Sequence, residues 1–364
     1  MLGQKKGHFN MIWKQEVKKL IKHPLMWSLL VICLMFNMLL IWGNIQKELP
    51  LVHKEILEHG IDEQIYKENL SRYDGLDMVE IKNFKQELYQ YEPTGSYKKF
   101  IDKQYEALNK RVEEIVASGE AEGMTYVGVL YRLHSSFYAN MLRWVFLEMG
   151  LLIVFAILFL MDYERINHTS AIIYSTNIGR KSEWIKWCVG MAVGLGIGLL
   201  LLFIMCIIWF RLIPYEGFWN TSISAALMTE PRGILLYPFI TFQKMTILEY
   251  LFSTIVIGVF LVLILGMIAG IIQIQFQNSY LSFGGVVLLL LIGLNVSGYG
   301  TQTWFDVVLS WNPANLWFRT GYWFMEGNLG SDFQGAELVS VAVQLVVCGM
   351  IGRLGYSRFL KKDY

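Results

Sequence analysis

The chain has 364 residues, of which 54% are apolar, 15% aromatic and only 17% charged, and its net charge is +1. A soluble domain usually carries about 25% charged residues, so this composition excludes an ordinary soluble globular protein. The near-neutral balance gives no reason to expect nucleic acid as a partner.

In chain order, the segment 1–24 comes first and contains a basic amphipathic stretch from His8 to Pro24. Phe9, Ile12, Trp13, Val17, Leu20 and Ile21 make one apolar face, with lysines mostly opposite. That pattern predicts a helix lying in the headgroup plane against membrane lipid, ended by Pro24. The first apolar run, 25–42, follows mostly polar residues and no small-x-small cleavage site comes after it, so a permanent span is expected. Segment 43–140 is polar and mildly acidic. Its apolar residues recur at helical spacing: Ile56, Ile61, Ile65 and Leu70, then Phe84, Leu88 and Tyr91, then Phe100, Ile101, Tyr105, Leu108, Val112 and Ile115. With breaks near Gly75, Pro93-Thr94-Gly95 and 119–123, this predicts a domain of amphipathic helices outside the membrane.

Within 141–354 five more apolar runs qualify as spans: 142–161, 188–210, 250–274, 281–296 and 338–354. Between them lie a basic loop, 162–187, and an aromatic segment, 298–336, broken at Trp311-Asn312-Pro313. The latter is expected to dip into the outer leaflet as short re-entrant helices with Trp317 and Phe318 at an outer mouth. Residues 355–364 form a tail. The fold expected is an all-α membrane protein with six transmembrane helices, an N-terminal interfacial helix, an extracytoplasmic helical domain and a re-entrant segment before the last span.

Basic residues set the orientation. Lys5, Lys6, Lys14, Lys18, Lys19 and Lys22, then Arg165, Arg180, Lys181 and Lys186, then Arg353, Arg358, Lys361 and Lys362 fall on one side. Only Arg211, Arg232, Lys244 and Arg319 occupy the shorter loops opposite. The positive-inside bias puts both termini in the cytoplasm of a multi-pass plasma-membrane protein.

No catalytic motif stands up. His53 and His59 lack H-E-x-x-H spacing, no G-x-S-x-G occurs, and Gly179-Arg180-Lys181-Ser182 lacks the leading half of a P-loop. The four cysteines, Cys33, Cys188, Cys206 and Cys348, all sit in apolar runs, without zinc spacing. No cofactor or metal site is expected in this chain. Glu148 is the deepest acidic residue in a span and is the candidate for gating; Asp162, Glu164 and Glu249 sit nearer the span ends, within reach of an interface. Gly190, Gly194 and Gly198 recur every four residues, as do Gly266 and Gly270, which lets backbones approach closely within the chain or across a dimer.

Three ordered stretches resemble the permease subunit of type-two ABC exporters. The helix from Trp13 to Pro24 is similar to that family's leading helix, with its internal Glu and its close in a basic residue and Pro. The loop from Glu164-Arg165 through Thr169-Ser170 to Arg180-Lys181, with Lys186 beyond, resembles the family's signature between the second and third spans. His168 stands where Gly is common and Asn177 where Pro is common. Ser310-Trp311-Asn312-Pro313 is similar to the family's re-entrant element before the last span, a Ser followed closely by Asn-Pro. The resemblance implies a homodimer or a pair with a sister permease. It also implies a separate cytosolic ABC ATPase that binds ATP and Mg, with Glu164, Thr169, Arg180, Lys181 and Lys186 coupling the two. The implied activity is bacterial export of an amphipathic or hydrophobic cargo, a peptide toxin or antimicrobial peptide before a lipid or drug. The alternative is a non-transporting membrane sensor or assembly factor whose external domain binds a ligand.

Overall fold

The computed structural model describes residues 2–45, 73–88, 90, 92–120, 135–175, 179–213, 215, 219–225, 229–232, 235–296, 303–326 and 333–361. The first expected stripe of the polar domain, Ile56 to Leu70, lies outside them, as do Tyr91, His53, His59, Asn177 and Lys362.

Helix α1 (Leu2–Lys22) is amphipathic as expected, but it packs on the bundle. Leu20 is buried and Ile12, Trp13 and Val17 are half-buried against the core, while Lys14 and Lys18 are exposed. Two residues depart from the expected face: Ile21 is exposed and Glu16 is buried beside Leu20. Pro24 opens α2 (Pro24–Ile45) at the first helical position, where its missing N–H is no loss. Met26, Leu30, Cys33, Asn37 and Ile41, spaced three and four apart, face the bundle. Val31, Met35 and Leu39 on the opposite side are exposed.

The polar domain contributes α3 (Met78–Leu88) and α4 (Gly95–Ala117). Gly75, Gly95 and Gly119 adopt positive φ at the breaks read from sequence. Ile101, Tyr105, Leu108, Val112 and Ile115 form the buried stripe of α4, as their spacing implied. The stripe on α3 is the reverse of expectation. Phe84 and Leu88 are exposed, and Lys82 and Lys85 are buried because acidic partners from elsewhere in the chain meet them.

At the bundle's centre a π-helical turn (Ser136–Leu142) runs into α5 (Arg143–Ile166), so this helix begins inside the stretch assigned to the polar domain. Then follow α6 (Ser170–Tyr174), a 3-10 turn (Gly179–Lys181) and α7 (Ser182–Leu212). A short antiparallel hairpin, β1 (Thr229–Arg232) with β2 (Leu235–Pro238), adds strands that a purely helical expectation had left out. Helix α8 (Ile247–Phe276) starts with a capping box in which Thr246 and Glu249 bond each other's backbone, which gives Glu249 a structural role. After Gln277, in left-handed geometry, comes α9 (Ser279–Val296). Two short helices, α10 (Trp304–Ser310) and α11 (Pro313–Phe318), precede α12 (Ala336–Lys361), which carries helix well into the expected tail.

Among the described residues five helical stretches are long and apolar enough to cross a membrane: Pro24–Gly43, Ser136–Ile166, Gly179–Leu212, Ile247–Phe276 and Ala336–Lys361. A sixth apolar stretch, Ser279–Asn295, is shorter. These helices are compatible with a multi-pass membrane protein. The N-terminal end of α7 and the C-terminal ends of α5 and α12 meet at one end, termed the basic end below. The polar domain caps the other.

The glycine stripe packs within the chain. A Cβ on Gly190 would come within 2.8 Å of the Ile157 Cα, one on Gly194 within 2.6 Å of the Ile153 Cα, and one on Gly198 within 3.0 Å of the Met149 side chain. Helix α7 therefore lies backbone-close to α5. Gly270 does the same for the indole of Trp187, which a Cβ would meet at 2.1 Å.

Candidate functional site

The basic end is built on the way α5 stops. His168 donates its backbone N–H to the Arg165 carbonyl at 3.0 Å, and Thr169 donates to that of Glu164 at 2.8 Å. This pair of bonds is a Schellman motif, and it puts His168 in the left-handed region at φ 56°. That geometry is the physical reason glycine suits the position. The chain then turns into α6, none of whose residues is buried. The stretch 162–187 is thus mostly helix, and its true connection is 167–181, of which 176–178 lie outside the described residues.

Behind this connection lies a chain of alternating charges. Lys19 Nζ reaches Glu16 at 2.7 Å and Glu164 at 2.8 Å. Lys186 Nζ bonds the other Glu164 oxygen and reaches Glu183 at 2.8 Å. The order Glu16–Lys19–Glu164–Lys186–Glu183 ties α1, α5 and α7 together. Tyr174 of α6 donates to Glu183 at 3.2 Å, and Arg165 donates to Tyr174 at 3.3 Å. Burial pushes the Glu16 carboxyl above the usual carboxylate range, and Lys19 draws it back only in part. Burial works against the Lys19 ammonium too, but Glu16 and Glu164 outweigh it and hold its pKa above the ordinary lysine value.

The expected coupling residues therefore divide. Glu164 and Lys186 are buried and hold the loop rather than forming its surface. Arg180 donates to the Phe359 carbonyl at 3.2 Å and stacks on that residue's ring, joining the loop to the end of α12. Thr169 is part of the helix stop, and Lys181 is exposed. Sequence reasoning missed Glu16, Lys19 and Glu183, although Glu16/Lys19 and Glu183/Lys186 are both spaced i,i+3. It also missed the surface that this scaffold presents. Ile166 and Ile172 are 61% and 68% exposed on either side of the turn.

The turn between α8 and α9 is fixed to the same end. Ser279 donates its backbone N–H and hydroxyl to Asp162 at 3.1 and 2.7 Å, and Arg165 donates to the Gln277 carbonyl.

Glu148 does not snorkel. It is buried between α5 and α2, where Asn37, itself fully buried, donates to it. Asn37 also donates to the Cys33 carbonyl at 2.9 Å, so one amide links two helices.

The aromatic segment serves two neighbours. Trp304 packs on Tyr97 and Phe100, and Trp311 joins the polar domain's core beside Val307 and Ile240, so neither forms a free aromatic belt. Asn312 caps α11 by accepting from the Asn315 N–H at 2.9 Å, donates to the Gly293 carbonyl at 3.2 Å, and is followed by buried Pro313. Trp317 donates to the Arg143 carbonyl at 2.7 Å, while Phe318 is exposed beneath the Arg143 guanidinium.

Two buried ion pairs clamp the polar domain. Lys85 meets both oxygens of Glu326 at 2.6 and 2.9 Å, with Tyr105 donating to the same carboxylate at 2.7 Å. Arg111 holds Glu120 bidentately at 3.1 and 2.7 Å, with Ser222 at 3.0 Å and Lys244 at 3.5 Å.

Among the described residues no group of His, Cys, Asp or Glu side chains is arranged to hold a metal ion. No protein-family model, curated protein or solved structure matches this chain.

Proposed function

We propose that the chain is the transmembrane permease subunit of an ATP-driven exporter in a bacterial plasma membrane, powered by a separate cytosolic ABC ATPase. The observation that carries this reading is the exposed apolar turn at Ile166 and Ile172, mounted on a buried ion chain that ties α1, α5 and α7. A partner seated on that turn would push on three helices at once, because the charges behind it cannot separate cheaply. Together with the three motifs that resemble the family, this favours a coupling role for loop 167–181. Glu164 and Lys186 act as positioning residues.

Six crossings with both ends in the cytoplasm fit the same reading. Ser279 touches Asp162 at the basic end, and Gly293 touches Asn312 towards the domain end. Helix α9 therefore runs between the two ends. Its apolar stretch of 17 residues rises about 26 Å, close to a hydrocarbon core of about 30 Å. Pairing with a second or sister permease follows from the resemblance, as does an amphipathic or hydrophobic cargo.

The test is affinity isolation of the tagged full chain from its own membranes, with Ile172→Asp beside the wild type. Wild type should carry an ABC ATPase and stimulate its turnover. Ile172→Asp should lose that partner while remaining in the membrane fraction. An ATPase retained equally by both would remove the loop from the interface. If no ATPase associates with the wild type, the sensor or assembly-factor reading replaces the permease.

A further inference from the structure

A large apolar recess opens beside the ion chain at the basic end. It is a groove of about 1220 Å³ between α7 and α12, floored by Leu263 and Met267 of α8. That exceeds the roughly 300–1,000 Å³ of ordinary small-molecule pockets. Its walls are apolar along their length, and no acidic residue lines it.

The rim is different. Lys181 at the head of α7 and Arg353 on α12 both open into the groove, beside Trp184 and Tyr356. Both cations are exposed, and among the described residues neither makes an ion pair or hydrogen bond. Lys19, Arg165, Arg180 and Lys186 at this end are engaged with partners inside the chain, and the other exposed cations, such as Lys14 and Lys18 on α1, do not line the groove. Two uncommitted cations beside a Trp and a Tyr are the side chains that meet phosphate at a headgroup level.

Length matches the same occupant. From Lys181 to Leu195, the deepest α7 residue of the wall, the helix rises about 21 Å at 1.5 Å per residue. One leaflet's share of a ~30 Å hydrocarbon core is about 15 Å. The groove thus offers two cations at one end and roughly one acyl chain's depth of apolar wall below them.

We propose that this groove is a specific site for one anionic membrane phospholipid, its headgroup phosphate between Lys181 and Arg353 and its acyl chains along α7 and α12. The inference stands apart from the permease reading, since it needs neither an ATPase nor a cargo.

The experiment is native mass spectrometry of the full chain purified in detergent and titrated with phosphatidylglycerol or with phosphatidylcholine of identical acyl chains. Wild type should retain phosphatidylglycerol selectively and gain thermal stability from it. Lys181→Ala/Arg353→Ala should weaken that binding about tenfold or more, as expected for losing two juxtamembrane cations. Gly349→Phe tests the walls while leaving both cations in place; Gly349 lines the groove, and an added Cβ there meets nothing within 4 Å. It too should lose the retained lipid. Equal retention of the two lipids, or unchanged phosphatidylglycerol binding in either variant, would overturn the site. A disulfide between two copies that forms in membranes only with Ala192→Cys would also overturn it, by giving the groove to a second copy.

Discussion

The two ends of the bundle bury charge in different ways. At the basic end five groups alternate in sign along one chain, and both lysines and the central Glu164 each touch two partners. At the domain end the pairs Lys85–Glu326 and Arg111–Glu120 stand separately; the first joins residues 241 positions apart, and the second is local but reaches Ser222 through Glu120. A buried pair is weak evidence of net stability, because desolvation offsets the attraction, yet removing one partner is costly. The difference lies in where the cost falls. Loss of a central link at the basic end strands charges on several helices, whereas loss of one member at the domain end releases a single clamp.

Lys186→Met should give the largest effect. It leaves two buried carboxylates short of a cation, Glu164 with Lys19 alone and Glu183 with only the Tyr174 hydroxyl, and a loss of about 3–5 kcal/mol is expected. Thermal unfolding of the purified chain measures it. Adding Glu183→Gln should recover part of the loss, because one stranded carboxylate is then removed. Full additivity of the two changes would mean that the chain of charges is not a unit.

Lys85→Met should cost somewhat less, about 3 kcal/mol, since Tyr105 still donates to the stranded Glu326. Its consequence should be local: faster proteolysis of the polar domain with little change in the membrane helices. If both parts lose protection together, the clamp is integral to the bundle and the contrast between the ends fails.

This clamp also marks where the sequence stopped being legible. The long apolar runs announced the spans, and small residues every four positions announced the α5–α7 contact. Both signals are local, and the glycine stripe announced a close helix contact without saying whether its partner was α5 or a second copy. The breaks at Gly75 and Gly95 were readable for the same reason, since positive φ favours glycine. The exposed face of α3 was misread because Lys85 is buried by a carboxylate 241 positions away, which no periodicity records. At the basic end the resemblance singled out Glu164, Arg180 and Lys186 as coupling residues, but gave no sign that Glu164 and Lys186 are buried. Glu16 and Lys19, which complete their ion chain, come from another helix, and that contact is not recorded in any local pattern.

The two ends should also respond oppositely to acid. Burial raises the Glu16 carboxyl, so the folded protein holds that proton more tightly than the unfolded chain does. Its unfavourable contribution is present at neutral pH and fades as pH falls through the raised value. Burial also acts against Glu120, but Arg111 outweighs it, with help from Ser222 and Lys244, and the carboxyl lies below the usual range. Its stabilisation is present above the ordinary carboxylate pKa and disappears as pH falls through the lowered value. As pH falls from about 7 towards the ordinary carboxylate range, any advantage of Glu16→Gln should shrink, whereas the deficit of Glu120→Gln should hold and shrink only below that range. Melting curves across that range would refute the assignment if the two variants shifted in the same direction at neutral pH.

The smallest effect should come from His168. Its left-handed backbone costs a residue with a Cβ roughly 1–2 kcal/mol, part of which glycine returns as lost entropy of the unfolded chain. His168→Gly should therefore raise stability by about 1 kcal/mol or less. The Schellman bonds to Glu164 and Arg165 would be kept, and so would the ion chain that begins at the same turn. A gain in melting temperature would show the turn to be a scaffold whose geometry matters and whose imidazole does not. A loss would mean that the imidazole itself makes a stabilising contact at this turn, and the left-handed backbone would then be held for the side chain as well as for the helix stop.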